Sequence, residues 1–362
     1  MSTATSVPET YELEGDDALR TLRDTGWGQL AKDSFVRFRA ADGTSHSRSL
    51  AFQVMLTLLP FVIAVVGLAT AMNVDQLRQL LTQTVDRLAP GPAGQIFTQA
   101  ISQGAKSAAR GGLWALLLGM VAALASATVA MGQVERGANR LYGVEQDRPT
   151  ADKYWNGFKL ACTAGILTVA AFMLIVGGAD MAGAVGLSGV VKGLWTVLRW
   201  PLSIAFVIVA FALLFRAAPR RRQPSWSWLA VGSGMSVLLW FIFTGLLALY
   251  LDVSSGTFGR TYGPLTGIIA ILIWSFLTSL AIYLGLAFAA QLEAVRAGVP
   301  RPKTEERTNP AGGDGSRRRS RPAGRRDRGR RERSPLRDQS RGGKSFHVLL
   351  GFSARGKPAD HQ

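Results

Sequence analysis

The chain has 362 residues, 48% of them apolar and 18% charged, with a formal net charge of +17. Its mean hydropathy is nevertheless +0.17, so charge and apolarity must occupy different stretches. They do: residues 301–362 hold 18 Lys or Arg against 7 Asp or Glu, while long uncharged runs fill the first 300. A single cysteine, Cys162, excludes a disulfide framework, a multi-cysteine zinc site and a CxxC redox pair. Three histidines with no HExxH spacing give metallohydrolase chemistry little support, and neither a metal nor a cofactor is expected.

In chain order, residues 1–24 are acidic and polar and are expected to be mobile. The first 30 contain no apolar run of the kind a cleavable signal peptide requires. Trp27, Leu30, Ala31, Phe35 and Phe38 then recur at helical spacing beside Lys32, Arg37 and Arg39, the pattern of a helix lying in a membrane interface.

Six uncharged runs follow: Ser49–Met72, Gly111–Val134, Leu160–Ala179, Trp200–Phe215, Trp228–Leu251 and Pro264–Ala290. The fourth is short, and lengthens to Gly193 if Arg199 is tolerated. About 20 apolar residues in a helix cross the hydrocarbon of a bilayer. The runs do not alternate with period two, and inside lipid each must satisfy its own amides, so helices follow. The expected fold is all-α: a polytopic membrane protein with six transmembrane helices, short amphipathic helices before the first span and in the first outer loop, and a disordered C-terminal tail. Residues 1–48 form a cytoplasmic segment in this reading, 49–296 the six-helix core, and 297–362 the tail.

Between the first two spans, Val74, Leu77, Leu81, Val85 and Leu88 recur at helical spacing. Ala89-Pro90-Gly91-Pro92 breaks that pattern, and Ile96, Phe97, Ala100 and Ile101 begin another amphipathic turn. Two short helices over the outer face are expected there. The loops on the side of the termini, Glu135–Lys159 and Arg216–Arg222, carry 9 basic residues in 32 positions, against 7 in 67 for the opposite loops. The excess of basic residues puts both termini in the cytoplasm.

Ionisable residues near the spans are few. Asp180, Arg199 and Asp252 fall at the outer ends of the third, fourth and fifth spans and are the candidate outer-side polar cluster. Pro60 should kink the first span, and Gln53 needs an interhelical partner. Small residues four apart mark close helix packing within one bundle: Ala122, Ser126 and Ala130; Gly232 and Ser236; Gly263 and Gly267. They leave the oligomeric state open.

In the tail, the pairs Arg318-Arg319, Arg325-Arg326 and Arg330-Arg331 suit anionic lipid headgroups. No aromatics lie between them to stack bases, so nucleic acid is not the expected partner. Gly343-Lys344-Ser345 is not a phosphate loop, because Asp338 stands where the motif needs glycine. Phe346–Phe352 is a short apolar island near the end.

Four segments together carry a resemblance: LAFQVMLTLLPF, ERGANRLYGVEQDRP at Glu135–Pro149, LFRAAPRRR, and TYGPLTGIIAILIWSFLTSLAIYLG at Thr261–Gly285. In order and spacing, from Ser34 to Arg296, they are similar to the YihY/BrkB family of bacterial inner-membrane proteins. The resemblance implies a multi-pass plasma-membrane protein, of a family described as virulence or serum-resistance factors and once as ribonuclease BN. Phe52-Gln53 stands where the family often has paired aromatics. Ala287 and Ala289 stand where it carries Glu and Asn, so a coupling role for that carboxylate does not carry over.

The functional expectation is a non-enzymatic membrane protein that transports or handles a lipid or small amphiphile, or assists envelope assembly. The alternative is a scaffold that recruits partners through its basic tail. Ribonuclease chemistry would want clustered carboxylates, and Glu135, Glu145, Asp147 and Asp152 show no ligand-like spacing.

Overall fold

A computed structural model of the chain describes residues 6–10, 12–71, 92–184, 189–254 and 266–299. The segment with Val74 to Leu88, Gly263 and the whole basic tail lie outside the described residues. Every regular element among the described residues is a helix. Two short ones, α1 (Gly15–Thr25) and α2 (Trp27–Ala40), precede six long ones: α3 (Gly43–Ala71), α4 (Pro92–Leu141), α5 (Thr150–Ala184), α6 (Gly189–Ala217), α7 (Trp226–Val253) and α8 (Thr266–Arg296).

The long helices alternate in direction, and each packs on the next in sequence. The ring closes where α8 meets α3, and α8 also reaches across to α4, α2 and α1. Among the described residues, four segments are long and apolar enough to cross a membrane: Leu117–Leu141 of α4, the whole of α6 and α7, and Gly267–Arg296 of α8. Large apolar side chains such as Trp114, Leu118, Leu198, Leu238 and Leu249 stand exposed along these rods, as lipid-facing side chains do.

Local signals explain the helix ends. Pro92 opens α4, where a missing amide costs nothing. At the other end, Gly143 at φ 71° lets the Val144 amide return to the Asn139 carbonyl at 2.8 Å. Ser225 caps α7, its hydroxyl accepting from the Trp228 amide at 3.4 Å. Pro60 lies inside α3 and withholds an amide from the preceding turn.

Helix α4 corrects the expected outer lid. Ile96 to Ile101 do not form a separate helix; they belong to one rod of 50 residues. At 1.5 Å per residue that rod is about 75 Å long, more than twice the roughly 30 Å of bilayer hydrocarbon.

The N-terminus is a second correction. Residues 6–10 and 12–25 are ordered against the bundle. Helix α1 buries Ala18, Thr21 and Leu22 on one face, and the Gly15 amide donates to Ser227 Oγ at 2.9 Å. Acidic residues in the first turn of α1 help, since Asp16 and Asp17 face the positive end of its dipole.

The interfacial face expected on α2 divides in two. Leu30 and Phe38 are buried with Asp33, Ser34 and Arg37, at the spacing of one helical face turned to the protein. Trp27, Ala31 and Phe35 are exposed, and Trp27 stacks on Phe288 at 5.9 Å.

The small-residue pattern is used between α7 and α8. A methyl group on Gly232 would sit 2.6 Å from Ala289 Cβ, and one on Gly285 would overlap Ser236 Oγ. In α4, Ala130 is buried and Ser126 half-buried, whereas Ala122 is exposed. Gly267 is buried near the start of α8.

Candidate functional site

Charge in the described bundle concentrates at one end, where α3, α5 and α7 begin and α4, α6 and α8 finish. Two polar clusters there join segments far apart in the sequence.

The first cluster clamps the α4–α5 connection onto the end of α6. Arg148 pairs with the buried Glu135 at 3.0 Å. Its guanidinium also donates to the carbonyls of Ala217, Ala218 and Pro219 at 3.3, 2.6 and 2.9 Å. The Ala217 and Ala218 carbonyls are among those a helix leaves unpaired at its C-terminus, and Arg148 caps them. Asn156 adds a bond to the Ala217 carbonyl at 2.9 Å. Asn139 bridges the two connections: its Nδ2 donates to Asp147 at 2.8 Å, and its Oδ1 accepts from the Arg220 amide at 2.8 Å. Lys153 pairs with the same Asp147 at 3.1 Å. Burial pushes the Asp147 carboxyl up, but bonds from Asn139 and Lys153 outweigh it and hold the group below the usual carboxylate range.

The second cluster is buried more deeply. Arg221 pairs with Glu293 at 2.6 Å, and both side chains are almost fully enclosed. The Arg221 guanidinium lies over the Tyr142 ring at 4.6 Å. Arg37, wholly buried, donates from Nε to Gln291 at 2.8 Å and from Nη1 to the Leu141 carbonyl at 3.1 Å. Burial lowers its pKa from 12.5 to about 10, still charged at neutral pH. Burial likewise pushes the Tyr142 phenol well above its ordinary value, so the phenol keeps its proton.

The N-terminal segment closes this cluster from outside. The Val7 amide donates to the Tyr142 carbonyl at 3.2 Å. Arg221 donates to the Pro8 carbonyl at 3.0 Å, and the Arg222 amide to Glu9 at 3.1 Å. The Thr10 hydroxyl donates to Glu293 Oε1 at 2.5 Å. Beneath these contacts, Tyr142 Oη, both polar atoms of Gln223, Arg221 Nη1 and Glu293 Oε2 are buried without a hydrogen-bond partner. The cluster therefore holds donors and acceptors in excess of those its own bonds use.

The residues expected to form an outer-side cluster are not joined by any contact among the described side chains. Arg199 is half-buried in α6 and lies over Trp200 at 5.8 Å. Asp252 is exposed near the end of α7, and the Asp180 side chain lies outside the described residues. Sequence reasoning missed Thr10, Arg37, Tyr142, Arg148, Arg221, Gln223 and Glu293 as a site. One signal was present: Glu293 is the first charged residue after the uncharged run Thr261–Leu292.

Comparison with known proteins places this arrangement. A family model described as virulence factor BrkB matches residues 34–310. The chain is 27% identical over 258 residues to the ribonuclease-like protein YfkH of Bacillus subtilis, covering 70% of this chain and 91% of that one. It is 26% identical over 266 residues to a UPF0761 membrane protein of Aromatoleum aromaticum, covering 71% and 61%. A UPF0761 membrane protein of Verminephrobacter eiseniae is 28% identical over 288 residues, with 76% and 64% covered. The match thus spans less than two thirds of these UPF0761 relatives. No solved structure matches. Both clusters, from Arg37 to Glu293, fall within the matched stretch, whereas the closing segment and α1 precede it; the chain is a helical membrane protein of the BrkB family.

Proposed function

We propose that this protein handles a lipid or small amphiphile in the plasma membrane of a bacterium, as a transporter, a flippase-like protein or a factor in envelope assembly. The supporting observation is the contrast between the rods and their polar end. Ion pairs of the described residues all lie at that end, and the shaft offers hydroxyls, small residues and aromatics. A path for a hydrophilic ion would want charge along its length, whereas an amphiphile needs an apolar flank and a polar end.

All six long helices cross the bilayer in this reading, α3 and α5 with 29 and 35 residues included. Their alternating directions bring both ends of the core to the polar side, and the basic Arg220, Arg221 and Arg222 connection there supports a cytoplasmic position. The proposed role is non-enzymatic, a reading supported by the engagement of Glu135, Asp147 and Glu293 with Arg148, Lys153 and Arg221 instead of with one another.

Reconstitution tests the reading. Proteoliposomes with fluorescent phospholipids should show accelerated exchange between leaflets, and mass spectrometry in mild detergent should find a copurifying lipid. Absence of both refutes lipid handling. Deleting residues 301–362 should leave that activity intact; its loss would favour a scaffold acting through the tail. A reporter fused after Gln362 should be active only in the cytoplasm.

A further inference from the structure

The segment Ser6–Thr10 is held by the polar end much as a ligand would be. It presents one carbonyl, one carboxylate and one hydroxyl, to Arg221, to the Arg222 amide and to Glu293 respectively. Its apolar anchor is small: Val7 is buried, but Ser6, Pro8 and Glu9 are exposed. The Gln223 side chain lies close enough to the Tyr142 hydroxyl to favour its ionised form against burial, without a bond of full hydrogen-bond geometry, and Arg221 and Glu293 each keep a buried polar atom without a partner. Buried groups left in that state favour whatever can satisfy them. The segment also precedes the family-matched residues, while every group it covers belongs to them.

We propose that Tyr142, Arg221, the Arg222 amide, Gln223 and Glu293 form a binding site for a hydroxylated oxyanion of the glycerol-phosphate class, and that Ser6–Thr10 occupies it as an internal competitor. The assignment follows the segment's own contacts. Anionic oxygens replace the Pro8 carbonyl and the Glu9 carboxylate on Arg221 and the Arg222 amide, where charge-assisted bonds are strong. A ligand hydroxyl replaces that of Thr10 on Glu293. Remaining oxygens meet the Gln223 amide, the Tyr142 phenol and Arg221 Nη1. The ligand is either free glycerol phosphate or the headgroup of phosphatidylglycerol, and only the second source rests on the lipid-handling reading.

The test uses the full chain, as wild type and as Thr10→Val, a change at a half-buried position of the segment. Calorimetry in detergent compares glycerol phosphate with inorganic phosphate. Native mass spectrometry from nanodiscs compares phosphatidylglycerol with phosphatidylcholine. Thr10→Val should tighten binding of glycerol phosphate or phosphatidylglycerol about tenfold, the factor one bond to a charged group carries. Adding Glu293→Gln should weaken the hydroxylated probe more than inorganic phosphate. Equal gains for the two soluble probes would overturn the hydroxyl assignment, and no gain for glycerol phosphate or phosphatidylglycerol would overturn the site. Tighter glycerol phosphate binding without lipid movement would leave the site standing and remove the lipid reading. Lipid movement without any gain in binding would do the reverse.

Discussion

The two ends of the same six helices are held together by different chemistry. At the polar end, side chains reach across long sequence separations to other side chains and to open helix carbonyls: Arg148 to Ala218, Arg37 to Leu141, Arg221 to Glu293. In the shaft, most hydroxyls bond back to their own helix, as Thr128 does to Leu124, Thr168 to Ala164 and Ser233 to Leu229. Among the described side chains, cross-helix bonds in the shaft are few: Gln53 and Thr57 to Ser126, Trp240 to Thr278, and Tyr283 to the Gln133 carbonyl. Long-range polar bonds tie the helices together at one end; the described remainder packs mainly by shape. That division suits a protein whose shaft meets lipid while its end stays fixed.

The strongest way to break the contrast is at Arg221 and Glu293. Removing one partner leaves the other charge buried, so Glu293→Ala or Arg221→Ala should cost about 3–5 kcal/mol in thermal unfolding in detergent. Replacing both, as Arg221→Met with Glu293→Leu, should recover much of that loss, because the desolvation of two charges is then avoided. A double variant no more stable than either single one would show that the pair does not act as a unit.

A smaller effect is expected where the polar end meets the shaft at Gly137. A methyl group there overlaps the ring of Tyr283, whose hydroxyl is fixed on the Gln133 carbonyl at 2.8 Å. Gly137→Ala should therefore cost about 1–3 kcal/mol, as overpacking does. Its control is Gly119→Ala, which meets nothing within 4 Å and should be neutral or slightly stabilising.

The shaft was far more legible from sequence than the end. Uncharged runs mark where the long helices lie, and among the described residues four of these helices hold a segment long and apolar enough to cross a membrane. The α7–α8 contact was also readable, since Gly232 and Ser236 sit four apart where backbones must approach. The polar end was not. Its partners lie 72 residues apart in Arg221 and Glu293 and 283 apart in Thr10 and Glu293, and no periodicity encodes such pairing. Arg148 and Arg221 counted only as positive charge in loops, although each is a structural ligand. The segment before α1 looked mobile because its polar groups find their partners only in distant elements. In α4, the helical spacing near Ile96 was visible, but nothing local revealed that the rod continued unbroken to Leu141.

Within the shaft, Thr57→Val sharpens the comparison. Thr57 Oγ1 and Ser126 Oγ lie 3.1 Å apart, and Thr57 also bonds back to the Gln53 carbonyl at 2.8 Å. A cross-helix bond in a membrane averages about 0.6 kcal/mol, because the separated helices find other partners. Thr57→Val should cost no more than that in thermal unfolding, well below the charge removals at the end. A loss as large as that of Glu293→Ala would mean the α3–α4 seam ties the helices together as strongly.

The smallest effect depends on pH and concerns His46, on the first turn of α3 near the Tyr283 ring at 6.2 Å. Burial holds its pKa below the ordinary 6.5; Arg140 and Arg136 push the same way, and Asp42 and Asp147 oppose them. The unfolded chain then binds a proton at higher pH than the folded one, so stability falls as the pH drops between the two values. Above 6.5 the ring is neutral in both states and contributes nothing; the loss starts as pH falls through that value and is complete below the folded one. Asp147 does not confuse the window, since its depressed pKa matters only below its ordinary 3.8. Thermal unfolding between about pH 7.5 and pH 5, where histidine is the side chain that ordinarily changes charge, should slope downward in the wild type and flatten in His46→Gln. An unchanged slope in the variant would move the proton to another group and leave His46 as packing beneath the polar end.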